Sequence, residues 1–110
     1  MIPAVPGMRY VLVKYTVRPE KVGAVKAAIR EFGAEIAKRE PKTLLLAFRA
    51  DDGQSFYHLM RFENEAAQRR HNQSKHNAQF VKKVYPNCTG KPQVAELRVV
   101  EATKKQWRVP

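Results

Sequence analysis

The chain has a single cysteine, Cys88, so it can close no internal disulfide, and one thiol cannot build a structural zinc site. Glycine is sparse too, and none of the five forms a phosphate-cradling loop. There is no nucleophile elbow and no CxxC pair. His71 and His76 are five apart and straddle a predicted helix break, unlike the i,i+4 pair of a zinc helix. These spacings predict no metal and no cofactor. No apolar run approaches the roughly 18 residues of a membrane span. The opening MIPAVPGMRY has no basic segment leading into a long apolar stretch, so no secretory signal is read and a cytoplasmic protein is expected. Acidic residues are the last scarcity: 10 against 21 Lys and Arg, a net charge of +11. Such a surplus attracts anions. The bases, however, fall singly or in pairs (Lys38-Arg39, Arg69-Arg70, Lys82-Lys83, Lys104-Lys105), so a solubilising surface explains them better than nucleic-acid binding.

What is present describes one globular domain. At 110 residues the chain can bury about two-thirds of its unfolded surface, and its 44% hydrophobic and 28% charged content is ordinary. Residues 1–7, with two prolines and a glycine, read as a loose arm. Met8 to Val17 alternates as a strand, with Val11, Val13, Tyr15 and Val17 facing a core. Arg18-Pro19-Glu20 opens a helix, and Val22, Val25, Ile29, Phe32 and Ile36 form its apolar stripe. Glu40-Pro41 stops it, because the residue before proline avoids the α region.

Thr43 to Arg49 is a second strand, Asp51-Asp52-Gly53 a hairpin turn, and Ser55 to Phe62 a third strand. Phe56, His58, Met60 and Phe62 share one face of that strand; Tyr57, Leu59 and Arg61 share the other. Neither face is plainly polar, so both should be covered. Asn64 caps a helix from Glu65 to about Gln73, and Ser74 caps another from Lys75 to about Val84. Val94 to Val100 is the fourth strand, and Ala102 to Pro110 is a basic tail carrying Trp107. The order β-α-β-β-α-β predicts a ferredoxin-like α+β domain: a four-stranded antiparallel sheet with helices on one face. An apolar second face needs a partner, and a second copy of the chain is the simplest one.

All three histidines, His58, His71 and His76, and three of the five phenylalanines crowd into the segment from Phe56 to Phe80. Here the chain resembles the antibiotic biosynthesis monooxygenase (ABM) superfamily of dimeric α+β barrels. The likeness rests on the RPEKV helix opening, the strand FYHLMRFEN leading into EAAQRRH, and the segment HNQSKHNAQF, and it spans roughly residues 8–101. It implies a homodimer with a cavity between sheet and helices. It also implies cofactor-independent oxygenation of a quinol or polyphenolic aromatic, as in some members; close relatives degrade haem. Several oxygenase members carry tryptophan where this chain has Phe62.

Oxidising a quinol without a cofactor needs a base for the phenolic proton, a group to hold the resulting anion, and a water-poor pocket. His71 and His76 are the candidate bases, since imidazole titrates near working pH. His58, Arg61, Phe62, Phe80, Tyr57 and Tyr85 are the candidate substrate-binding residues. Plainer roles compete. His71 would suit a helix C-terminus as a cation. His76 sits near a helix start, where a neutral imidazole with a buried partner is expected. His58, Phe62 and Phe80 are natural core residues, and Arg61 could pair with Glu63 or Glu96. Two other functional classes stay open: a non-catalytic small-ligand-binding dimer, and a polyanion binder whose affinity would fall steeply with salt.

Overall fold

Alternation builds the sheet of this computed structural model, which describes residues 8–104. The arm, residues 1–7, and Trp107 in the tail lie outside the described residues. Strand β1 (Arg9–Thr16) buries Val11 and Tyr15, while Tyr10, Leu12 and Lys14 turn to the opposite face. A 3₁₀ turn with Pro19 at its first position leads into α1 (Val22–Arg39). The stripe buried by α1 is Val25, Ala28, Phe32 and Ile36; Ile29, expected in it, is half-buried beside Ala28. Glu40 leaves the helix at φ −132°, ψ 64°, as the proline behind it requires.

Strand β2 (Leu44–Arg49) turns into β3 (Ser55–Phe62) through Gly53, whose φ of 77° a side chain would disfavour. Asp52 stabilises the turn by accepting from the Gln54 and Ser55 N–H groups. Helix α2 (Glu65–Asn72) is capped by the Asn64 side chain, 2.8 Å from the Ala67 nitrogen; α3 (Lys75–Val84) is capped by Ser74. Strand β4 (Gln93–Leu97) stops three residues before the predicted Val100. Its last pair joins Leu97 to Tyr10, next to the start of β1.

The strands are antiparallel in the order β2-β3-β1-β4, the ferredoxin-like arrangement. Phe56, Met60 and Phe62 of β3 pack with Phe32 and Ile36 of α1 and Phe80 and Val84 of α3. The opposite face stays apolar and open. By register, Leu46 and Phe48 lie beside Leu59 and Tyr57, and Leu12 beside Ala95. Phe48 remains 52% exposed and Leu46 44%.

Candidate active site

Three helix ends meet at one carboxylate. Glu40 follows the last turn of α1, His71 sits in the last turn of α2, and His76 in the first turn of α3. His71 Nδ1 lies 2.8 Å from Glu40 Oε2, and His76 Nε2 makes a short hydrogen bond to the same oxygen. An ionised carboxylate can only accept, so Nδ1 of His71 and Nε2 of His76 carry the protons. That leaves His71 Nε2 and His76 Nδ1 as the nitrogens able to accept one. Glu40 therefore fixes both tautomers.

Both rings are nearly inaccessible, His71 at 4% and His76 at 7% exposed. Burial is the largest influence on Glu40 and opposes its charge. The hydrogen bonds from His71 and His76 outweigh it, with a smaller contribution from the Thr43 side chain, and hold the carboxyl below its ordinary value. Glu40 Oε1 is buried without a hydrogen bond of normal geometry. His71 is pushed below its ordinary pKa chiefly by burial, which outweighs the Glu40 charge. It is thus a neutral donor to Glu40, not a cation compensating the α2 dipole. Phe32 and Phe62 wall this cluster, with ring centroids 5.6 and 5.1 Å from His71.

His58 forms a separate pair. Its Nε2 is 2.8 Å from the Tyr15 hydroxyl, among Phe32, Phe56 and Phe80. Both residues are 2% exposed. Burial lowers the His58 pKa to about 4 and raises that of Tyr15, so a neutral phenol and a neutral imidazole share this hydrogen bond. This is the satisfied core histidine that its position beside Phe56 and Met60 suggested.

A cleft of about 340 Å³ opens at the C-terminal end of α1 and reaches Glu40 and His76. Arg39, Lys42 and Arg70 line it, with Thr43 and Glu63. His71 is not on its wall; it stands behind Glu40. A narrower crevice between α1 and α3 also reaches His76, beside Phe32 and Phe80, with space of about 10 Å³, one water at most.

The expected site residues therefore separate. His71, His76 and Phe62 come together, and Phe80 stacks on Phe32 at 4.4 Å as core. Tyr57 and Arg61 lie on the open sheet face, away from the histidines, because residues of opposite strand parity cannot share a pocket. The suggested partners of Arg61 are engaged elsewhere: Glu63 with Lys42, and Glu96 with Gln68. Tyr85 is half-buried just beyond α3, where burial raises its pKa.

Glu40 is the residue sequence reasoning missed. It was legible only as a helix stop, being 31 and 36 positions from its partners. One signal was available: an acid at a helix C-terminus opposes the dipole and calls for donors nearby. The fold also assembles what linear spacing could not show, since potential ligand atoms of Glu40, His71 and His76 lie within 4.8 Å of one another. Two histidines and a carboxylate are a familiar ligand set for a divalent cation. In the present arrangement, protons donated to Glu40 occupy the facing nitrogens, and a cation would have to displace them.

The profile of the antibiotic biosynthesis monooxygenase family matches residues 8–83. The chain belongs to that family. Solved structures of ABM-class proteins agree. One from Caulobacter crescentus CB15 has a TM-score of 0.79 at 21% identity, covering 86% of this chain and 92% of that one. One from Bacteroides thetaiotaomicron VPI-5482 has a TM-score of 0.79 at 17% identity, covering 90% and 95%. One from Nitrosomonas europaea has a TM-score of 0.77 at 18% identity, covering 93% and 100%. At such identities the structural likeness establishes the ABM fold alone. No curated protein sequence matches the chain. Among the described residues no helix is long and apolar enough to cross a membrane.

Proposed function

We propose that this ABM protein is a cofactor-independent monooxygenase acting on a small phenolic or quinol-like aromatic, with His76 as the base. The supporting observation is a buried histidine on the wall of a solvent-reaching cleft, held in one tautomer by a part-buried carboxylate. His76 Nδ1 takes the phenolic proton, producing the electron-rich anion that reacts with oxygen. One oxygen atom becomes the new carbonyl of the quinone and the other leaves as water. All four electrons come from the substrate, so no external reductant is consumed. Glu40 stabilises the imidazolium that forms, and His71 holds Glu40 in its charged, oriented state. Both are positioning residues.

The apolar open face supports a homodimer joined through the sheets, since Leu46, Phe48 and Leu97 stay 40–52% exposed in one chain. Phe48→Glu is expected to shift sedimentation from dimer to monomer.

The test of activity is oxygen uptake by metal-free protein on quinols, anthrones and catechols, with His76→Ala and His71→Ala alongside. Uptake abolished in His76→Ala and reduced in His71→Ala is the expected result. Uptake unchanged in both variants would sink the histidine mechanism. Binding without uptake across the panel would leave a small-ligand-binding dimer in its place.

A further inference from the structure

We infer that the ligand of the cleft is anionic: a hydroxylated aromatic carrying a carboxylate or an equivalent acidic group, held by Arg70 with Arg39 and Lys42. This rests on the same cleft as the proposed oxygenase and adds the substrate class.

The composition of the cleft carries the inference. Arg39 from the end of α1, Lys42 from the turn before β2, and Arg70 from the end of α2 converge on one space, and among the described residues no Phe, Tyr or Trp lines it. Phe62 and Phe80, the walls a neutral polyphenol would use, are 2% and 5% exposed and belong to the core. Facing the three cations are Glu40 and Glu63. Glu40 is engaged by two histidine N–H groups. Glu63 lies 3.5 Å from Lys42, and Arg39 is held by Glu35 at 3.2 Å. Arg70 has no carboxylate partner among the described ion pairs, so its guanidinium is available as a fork for a planar acid. A helix C-terminus favours a base. That accounts for Arg39 and Arg70 singly, but not for their meeting Lys42 around a space that ends at His76. The volume of about 340 Å³ is at the small end of ligand sites and suits one or two rings. The geometry would seat the acidic group on Arg70 at the rim and present the phenolic hydroxyl to His76 at the floor.

The test uses two ligands of different charge state, the anion 2,5-dihydroxybenzoate and its neutral methyl ester. Their binding is measured calorimetrically under anaerobic conditions at 20 and 200 mM NaCl, for the intact protein and for Arg70→Gln. The acid is expected to bind about tenfold more tightly than the ester, the typical scale of one charge-assisted contact. That preference should shrink at the higher salt and vanish in Arg70→Gln. An ester that binds as well as the acid, a preference that survives in Arg70→Gln, or binding of neither compound would overturn the inference. The readout needs no turnover. Acid preference without oxygen uptake leaves the anionic cleft standing and sinks the oxygenase. Uptake of neutral quinols without acid preference does the reverse.

Discussion

The molecule buries its histidines in two ways. At one place His58 donates nothing to a charge; it faces the Tyr15 phenol in a sealed aromatic core, and its pKa falls to about 4. At the other, His71 and His76 share one oxygen of an ionised glutamate, and a cleft reaches that glutamate and His76. Burial is nearly equal in the two places. What differs is the partner and the access. A phenol satisfies an imidazole and leaves it inert, whereas a carboxylate fixes its tautomer and can stabilise the cation formed when it takes a proton. Buried histidine by itself says little about function; buried histidine on a carboxylate beside a cleft says much more.

Substitutions at the two places should therefore have separable consequences. The largest effect belongs to His76→Ala, which should cut the rate of oxygen uptake 10²- to 10⁴-fold, the usual worth of a positioned base. Next comes the pH dependence of stability due to His58. Its folded pKa lies below its unfolded value near 6.5, so its contribution is present above pH 6.5 and is lost as the pH falls toward 4. The loss should be about 3 kcal/mol in urea unfolding between those limits. His58→Asn should flatten that part of the profile while leaving oxygen uptake intact. His71 is depressed in the same direction and adds to the acid sensitivity.

Glu40→Gln removes the negative charge that both histidine N–H groups share at one oxygen. It should cost about 1–3 kcal/mol of stability and lower kcat even where the variant remains folded, because His76 is no longer held in one tautomer. The smallest effect is Tyr15→Phe, which removes a single hydrogen bond, costs about 1 kcal/mol, and leaves kcat unchanged. A Tyr15→Phe variant with lost activity would erase the distinction between the two histidine environments.

How much of this the sequence reveals depends on distance along the chain. Local features are legible: the alternation of β1 and β3, Asn64 and Ser74 as caps, Pro41 as the stop of α1, and hence the ferredoxin-like order. His71 and His76 stand out because they are close together in a segment rich in rings. The separation of Tyr57 and Arg61 from His58 was also legible, since period-two alternation already places them on opposite faces. Glu40 was not, because its role exists only once the ends of three helices meet. Nor was the polar lining of the cleft, because Arg39, Lys42 and Arg70 look like ordinary surface bases until the fold brings them to one cleft.

The most direct measurement is the tautomeric state of the three histidines by long-range proton–nitrogen NMR at pH 7.5. The expected result is a neutral His71 protonated on Nδ1 and a His76 protonated on Nε2, with Glu40→Gln disturbing both and leaving His58 unchanged. Opposite tautomers at His71 and His76, or spectra indifferent to Glu40→Gln, would contradict the claim that this carboxylate organises the site.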